Sequence, residues 1–138
     1  MRLMTLTLSL LLIVSTMFAV NLDWVQNNGP YGNSVWTCNY FNGVILAGSG
    51  DGKIYRTENN GTTWDICFEN EATWRIFYKL SNNSIIAGNA NRELFVSSDN
   101  GITWSPVNPG LPEGFDLRDM IEDSNHNLYA ATGTGVFK

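Results

Sequence analysis

The sequence contains an eight-residue segment twice, at an offset of forty positions. The first copy occupies residues 57–64 (TENNGTTW) and the second residues 97–104 (SSDNGITW), so the shared pattern is Ser/Thr-x-Asp/Asn-x-Gly-x-Thr-Trp. Asn, Asp and Gly tolerate the backbone of a tight turn, and Thr followed by Trp favours a returning strand. We call these segments the first and second octapeptides. A fixed period of this length is typical of an array of similar units.

The repeat extends beyond the octapeptides. Trp24, Trp64 and Trp104 recur at intervals of forty residues. A third unit follows with small changes of length, and its extra residues fall in the Gly/Pro-rich segment 109–115, where insertions cost little free energy. No segment shows a convincing helical period. The period therefore predicts about three units built from strands and tight turns.

Each unit divides into four short predicted strands. The first strands are expected at 35–40, 75–80 and 117–122, the second at 44–47, 84–87 and 127–130, the third at 54–57, 94–97 and 136–138, and the fourth at 24–26, 64–66 and 104–107. Four-stranded units repeating near forty residues predict an all-β fold, specifically a partial β-propeller of about three antiparallel four-stranded blades. A β-sandwich is the alternative, but it gives no reason for the fixed period.

Each octapeptide position has a physical role in such a turn. A hydroxyl at the first position and a carboxylate or amide at the third can accept hydrogen bonds from backbone N–H groups. The glycine permits a left-handed backbone, and the tryptophan is expected to pack between neighbouring sheets, where it would bury ~150–250 Å². The residues in these roles are Thr57, Asn59, Gly61 and Trp64 in the first octapeptide, and Ser97, Asp99, Gly101 and Trp104 in the second.

This pattern resembles the Asp-box, or bacterial neuraminidase repeat, of sialidases, sortilin-type propellers, xyloglucanases and the photosystem II assembly propeller. The resemblance covers nearly all of residues 21–138 as three units with two complete boxes, and it implies a β-propeller. In those families the box lies between the outer two strands, away from the central ligand face, which implies a structural role for the octapeptides. Asn59 stands where Asp is usual, and its amide keeps the capping role with a weaker hydrogen bond.

The N-terminus indicates export. Arg2 is followed by residues 3–20 without a charge, which predicts a signal peptide over residues 1–20 and a mature domain over 21–138. Cleavage after Ala19 would place Met17 where a small residue is expected, so an uncleaved N-terminal anchor is the alternative. Either interpretation places residues 21–138 outside the cytoplasm, as a secreted, periplasmic or cell-surface protein.

Charge and cysteine content exclude some partners. The chain has a net charge of −5 and no cluster of Lys and Arg, which disfavours nucleic acid, and a membrane partner is expected only if residues 1–20 are retained. Cys38 and Cys67 fall on a first and a fourth strand, too far apart for a disulfide. We therefore expect two free, largely buried thiols.

The sequence gives weak support for catalysis. Sialidases use an Arg-Ile-Pro element, which Arg75-Ile76-Phe77 matches only in its first two residues. We interpret this segment as part of an ordinary strand. His126 is interpreted as a polar turn residue. Acidic residues that could form a glycoside-hydrolysing pair or a calcium site are Asp116, Asp119, Glu122 and Asp123, which we interpret as solvated turn and strand-end residues. The aromatic residues expected mainly in the core, with ligand stacking as the alternative, are Trp36, Tyr40, Trp74 and Tyr78.

No catalytic, metal or cofactor residue is assigned from the sequence. The predicted function is that of an exported binding or scaffold module for a protein or glycan ligand, and the alternative is the N-terminal part of a sialidase-like or other glycoside hydrolase. Propellers usually have four to eight blades, so three blades predict part of a longer propeller or a truncated reading frame. Self-association is the other possibility, with residues 24–26 completing the blade that lacks a fourth strand.

Overall fold

The computed structural model describes residues 24–31, 33–107, 110 and 116–138. In this part of the chain the regular structure is entirely β, with three antiparallel sheets and no helix. The predicted signal or anchor segment, residues 1–20, and most of the 109–115 loop lie outside the described residues. None of the described residues forms a helix long and apolar enough to cross a membrane.

Every sheet is a meander in which strands adjacent in sequence are hydrogen-bonded. Sheet 1 contains β1 (Val35–Phe41), β2 (Val44–Ser49), β3 (Lys53–Thr57) and β4 (Asp65–Glu69) in that order. Sheet 2 contains β5 (Trp74–Lys79), β6 (Ile85–Asn89), β7 (Leu94–Ser97) and β8 (Ser105–Val107). Sheet 3 contains β9 (Leu117–Glu122), β10 (Leu128–Thr132) and β11 (Gly135–Phe137). The first strands lie side by side, since β5 contacts both β1 and β9.

The all-β prediction is confirmed, and the three predicted units correspond to the three sheets. Across the described residues these sheets do not close into a ring, and sheet 3 has three strands. The strand predicted at 24–26 is wrong, because those residues lie in no strand and the side chain of Trp24 is 92% exposed. Within the described ranges no strand pairs with residues 24–26, so their backbone N–H and C=O groups take part in no sheet.

Strand pairing defines equivalent positions in the three sheets. Ala47 pairs with Cys38, Ala87 with Phe77 and Ala130 with Met120, so the partners of these alanines are equivalent. The offset between β1 and β5 is therefore 39 residues, not 40. The reason is the turn, since β1 and β2 are joined by the two residues Asn42-Gly43, both at positive φ, while in sheet 2 three residues, 81–83, lie between the hydrogen-bonded Leu80 and Ser84.

The hydrophobic core lies between the sheets. The first cluster joins sheet 1 to sheet 2, and the second joins sheet 2 to sheet 3. Side chains alternate along a strand, so Ile85 and Ala87 of β6 face sheet 1 while Ile86 faces sheet 3. Sheet 2 is consequently covered on both faces, whereas sheets 1 and 3 each have one face that no other described sheet covers.

Candidate functional site

The second octapeptide forms the turn between β7 and β8. Ser97 Oγ accepts a hydrogen bond from the Gly101 N–H at 2.8 Å, and Asp99 Oδ1 accepts those of Ile102 and Thr103 at 3.1 and 2.9 Å. The Thr103 hydroxyl donates to Asp99 Oδ2 at 2.5 Å and, with the other donors, lowers the pKa of Asp99 to about 2. Both carboxylate oxygens thus bind groups of the turn itself.

The first octapeptide forms the equivalent turn between β3 and β4. Thr57 Oγ1 accepts a hydrogen bond from the Gly61 N–H at 3.1 Å. Asn59 Oδ1 accepts one from the Thr63 N–H, and Asn59 Nδ2 donates to Thr63 Oγ1, both at 2.9 Å. The amide therefore contacts the N–H and the hydroxyl of the equivalent threonine, as Asp99 does, but the hydroxyl accepts instead of donating and the Ile102 contact has no counterpart. The φ angle is +82° at Gly61 and +81° at Gly101, a region that strains any residue with a Cβ.

The two octapeptide tryptophans differ in burial. Trp104 is 8% exposed and belongs to the cluster between sheets 1 and 2, where its ring centroid lies 6.1 Å from that of Phe77. Trp64 is only partly buried, because no described sheet precedes sheet 1. Neither indole Nε1 has a hydrogen-bond partner among the described residues, so both rings act as apolar packing groups.

The turns between second and third strands contain a further set of caps that the sequence analysis missed. Ser49 Oγ accepts a hydrogen bond from the Lys53 N–H at 3.2 Å, and Asn89 Oδ1 accepts one from the Glu93 N–H at 3.0 Å. Thr132 Oγ1 accepts the Thr134 N–H at 3.2 Å. Each cap is a short polar residue that ends its strand, and the forty-residue offset between Ser49 and Asn89 was a signal available in the sequence.

Three equivalent residues near the start of the first strands form a second candidate site. Trp36, Arg75 and Arg118 each follow a residue that pairs with the last residue of the neighbouring strand. The guanidinium carbon of Arg75 lies 5.1 Å from the Trp36 ring centroid, and Arg118 Nε lies 3.6 Å from Asp116 Oδ2. We call these four residues the arginine cluster. With Leu117 they line an open depression of about 430 Å³.

The arginine cluster has the chemistry of an anion site. Arg75 makes no ion pair with any described residue, while the Arg118 side chain is 66% exposed. Guanidinium groups bind carboxylates through two parallel hydrogen bonds, and an exposed indole offers a flat face for stacking. The cluster combines two arginines with one aspartate although the whole chain has a net charge of −5. Its local charge therefore favours an acidic ligand.

The arginine cluster and the octapeptides lie at opposite edges of the sheets, where an edge means the row of turns at one end of the strands. β1 and β3 run in the same direction, because both are antiparallel to β2. Trp36 is near the start of β1 and lies beside Gly50, whereas the first octapeptide follows the end of β3. At that other edge, Asn42 Nδ2 donates to Asn100 Oδ1 at 3.3 Å. The turn chemistry of the octapeptides is thus remote from the cluster.

The expectation that the first-strand aromatics lie mainly in the core holds only in part. Trp74 is fully buried and Tyr78 partly buried, but Trp36 is 57% exposed and Tyr40 is 66% exposed. These two residues lie on β1, which is an edge strand of sheet 1. Sheet 1 is itself at one end of the described array of three sheets. Trp36 consequently belongs to the candidate surface.

A polar cluster that the sequence did not indicate connects sheets 2 and 3 at the octapeptide edge. Ser81 donates to Glu122 from its hydroxyl and its backbone N–H, each at 2.7 Å, and mainly for this reason the pKa of Glu122 is lowered. His126 Nδ1 lies 2.9 Å from both Ser81 Oγ and Glu122 Oε1. A Ser-His-acid triad needs the serine and the acid on different ring nitrogens. Here both contact Nδ1, so the cluster links two turns and lacks triad geometry.

The other predicted acidic residues make local contacts. Asp123 Oδ1 accepts hydrogen bonds from the Asn125 and Asn127 N–H groups, and contacts led by the Asn127 side chain lower the pKa of Asp123 to about 2. Asp119 Oδ1 accepts the N–H of Met120 at 2.9 Å. Within the described part of the chain, no group of three His, Cys, Asp or Glu side chains could hold a metal ion.

Cys38 and Cys67 are both free thiols. Cys67 is partly buried, and its Sγ lies 3.3 Å from the Ile54 carbonyl oxygen, to which it donates. The prediction that both are largely buried is wrong for Cys38, which is exposed. Cys38 is equivalent to Phe77, whose side chain faces sheet 1 and away from sheet 3. The Cys38 side chain likewise faces away from sheet 2, on the side of sheet 1 that no described sheet covers.

Comparisons with protein-family models, with curated proteins and with solved structures found no match to this chain. The resemblance to the Asp-box family therefore depends on the octapeptides and the forty-residue period alone.

Proposed function

We propose that this chain is an exported, non-catalytic binding module built from blades of an Asp-box β-propeller. Two features support the architecture. Successive meander sheets pack face to face, with β1, β5 and β9 side by side as the innermost strands of a propeller would be. Each four-stranded sheet also has an octapeptide in the turn before its fourth strand.

The arginine cluster is the observation that carries the binding proposal. Consecutive sheets contribute Trp36, Arg75 and Arg118 at equivalent positions, so the repeat itself places a stacking surface beside two guanidinium groups. The depression they line is open and lies on the innermost strands. A ligand suited to it combines a carboxylate with a flat ring, as an acidic sugar does.

A glycoside hydrolase is the less supported alternative. Such an enzyme needs an acid and a second carboxylate or other nucleophile beside the bound sugar. The acidic residue that lines the depression is Asp116, which pairs with Arg118. Glu122 and Asp123 bind groups of the turns at the opposite edge. The described residues therefore favour binding over hydrolysis.

Titration of the purified chain with an acidic sugar, with Trp fluorescence or amide NMR shifts as the readout, tests the proposal. Glucuronate is expected to bind saturably and glucose is not. Arg75→Gln with Arg118→Gln is expected to weaken binding tenfold or more, since each removes a hydrogen bond to a charged group worth ~1.5–3 kcal/mol. Arg92→Gln, an exposed turn arginine, is the matched control.

Two results would contradict the proposal. One is the absence of saturable glucuronate binding, or binding that the double substitution leaves unchanged. The other is turnover of a fluorogenic acidic glycoside by the purified chain, which would establish the hydrolase instead.

A further inference from the structure

An apolar pocket of about 420 Å³ lies between sheets 2 and 3. Its walls come from both sheets and include the second core cluster. The apolar side chains that line it include Ile86, Leu94, Val107, Met120, Leu128 and Ala130. Protein interiors are close-packed, so a space of this size beside a core cluster is a place for another side chain.

The pocket is equivalent to the site that Trp104 fills one interface earlier. Between sheets 1 and 2, Trp104 clusters with Leu46, Ile54, Phe77, Ile85 and Ala87. Strand pairing gives the equivalent positions between sheets 2 and 3, which are Ile86, Leu94, Met120, Leu128 and Ala130. All five line the pocket. We call it the tryptophan pocket.

An unpaired strand edge adjoins the tryptophan pocket. In sheets 1 and 2 the third strand pairs with a fourth, β4 or β8, and each fourth strand directly follows an octapeptide tryptophan. β11 is the third strand of sheet 3, and within the described ranges it pairs with β10 alone. A fourth strand that begins with tryptophan would therefore complete the sheet and fill the pocket in one step.

Trp24 is placed in the chain as such a residue. It precedes Trp64 by forty positions and is 92% exposed, and Val25 after it is 87% exposed. Val35 at the start of β1 is eleven positions after Trp24, close to the ten positions from Trp64 to the start of β5. Segment 24–26 thus has the spacing of a fourth strand that precedes sheet 1.

The same chain does not bring this segment to its own pocket. Asn27 Nδ2 donates to the Asn60 carbonyl at 3.4 Å, so the N-terminal segment lies against sheet 1, while the pocket lies beyond sheet 2. We propose that Trp24 of a second copy of the chain enters the tryptophan pocket, with residues 24–26 pairing along β11. The exchange is reciprocal in a dimer.

The uncovered faces of sheets 1 and 3 are consistent with a second copy of the chain as the partner. On sheet 3, Ile121 is 58% exposed and Val136 is 72% exposed, and both line a shallow apolar cavity of about 160 Å³. On sheet 1, Trp64 and Cys38 are not covered by another described sheet. The insertion of Trp24 does not depend on the proposed propeller architecture.

The repeat also predicts the register of the exchanged strand. Arg56 pairs with Asp65 in sheet 1, and Val96 pairs with Ser105 in sheet 2. In each case the second residue directly follows the octapeptide tryptophan. The equivalent pair in sheet 3 is Lys138 with Val25 of the second copy.

Native mass spectrometry of the purified chain tests the association. The chain is expected to be a dimer at low micromolar concentration, and Trp24→Ala to weaken association about a hundredfold or more, as loss of a buried aromatic anchor does. Trp24 is exposed within one chain, so this substitution leaves the fold intact by circular dichroism. Ile102→Ala is the control, a truncation of another exposed large apolar residue that lies in the turn between β7 and β8, and is expected to remain dimeric. A monomeric wild type, or a Trp24→Ala dimer, would overturn the proposal.

Disulfide trapping tests the register. In a Cys38→Ser, Cys67→Ala background, Val25→Cys with Lys138→Cys is expected to form an interchain disulfide, because paired strand residues lie ~4.5–5.5 Å apart and a disulfide needs Cα atoms within ~7 Å. Val25→Cys with Ser124→Cys, whose second site is an exposed turn residue, is the control and is expected to remain uncrosslinked. Equal crosslinking of both pairs, or of neither, would refute the assigned register.

Discussion

Arg56 of β3 and Asn100 of the second octapeptide join sheets 1 and 2 directly, through a hydrogen bond from Arg56 Nε to the Asn100 carbonyl oxygen at 3.0 Å. Only 14% of the Arg56 side chain is exposed, and its Nη2 also lies 2.5 Å from Glu58 Oε1. The position equivalent to Arg56 in sheet 2 is Val96, which lines the tryptophan pocket. A polar contact thus joins sheets 1 and 2 at the position where the interface between sheets 2 and 3 has an apolar pocket.

Replacement of Arg56 tests how much this link contributes. Arg56→Ala is expected to lower the free energy of unfolding by ~1.5–3 kcal/mol, since it removes a hydrogen bond donated by a charged group. Arg56→Lys should recover little of the loss, because an ammonium does not reproduce the planar guanidinium that bonds Asn100 and Glu58 together. Urea unfolding measures both. Arg92→Ala, at an exposed turn, is the control, and an equal loss there would contradict a specific role for Arg56.

The two octapeptide tryptophans are expected to contribute unequally. Trp104→Ala should cost ~3–5 kcal/mol, the range for removing a large aromatic side chain from a core. Trp64→Ala should cost clearly less, because Trp64 is only partly buried. Both are best compared by urea unfolding in a Trp24→Ala background, so that association between chains does not add to the result. Equal losses would contradict the difference in burial between the two tryptophans.

Asp99 gives the second octapeptide a dependence on pH that the first lacks. Its folded pKa of about 2 lies below the ordinary value of 3.8, so its ionised form stabilises the fold above pH 4. That contribution is lost as the pH falls from about 4 to about 2. Asp99→Asn is expected to lower the thermal midpoint at pH 7 and to have little effect at pH 2. Asp123 titrates in the same window, so the comparison is best made in an Asp123→Asn background.

The sequence predicted the parts of this fold that depend on local chemistry. Strand alternation, Asn/Gly turns and the octapeptides act through neighbouring residues, so eleven of the twelve predicted strands have counterparts among the described strands. The twelfth, at 24–26, failed because a strand also needs a partner, and local propensity does not specify one. Cys38 and Trp36 were assigned to the core for a similar reason, since a periodic pattern does not reveal which sheets stand at the ends of an array.

The candidate sites were less predictable than the fold. The arginine cluster depends on a 39-residue offset between β1 and β5, which aligns Trp36 with Arg75, and a strict forty-residue period conceals this. The contacts among Ser81, Glu122 and His126 join residues up to 45 positions apart, and no spacing rule indicates them. Both clusters arise from packing of one sheet against the next, which is visible only in three dimensions.

Gly52 and Gly43 have nearly the same backbone conformation but different surroundings. Their φ angles are +84° and +87°, so alanine at either position pays the same penalty of ~1–2 kcal/mol for a left-handed backbone. An added Cβ at Gly43 meets nothing within 4 Å, but at Gly52 it would lie 1.7 Å from the Asn70 carbonyl oxygen. The Gly52 carbonyl also accepts the Trp74 indole N–H at 2.9 Å, so a shift of this turn disturbs the core between sheets 1 and 2.

Gly43→Ala is therefore expected to give a folded protein with a modest loss in urea unfolding. Gly52→Ala should lose at least ~2 kcal/mol more, because relief of the overlap requires movement of backbone on both sides of the contact. The near-ultraviolet circular dichroism of the buried Trp74 should change in Gly52→Ala and stay constant in Gly43→Ala. Similar stabilities for the two variants would mean that the turn at Gly52 is not held against Asn70 in solution.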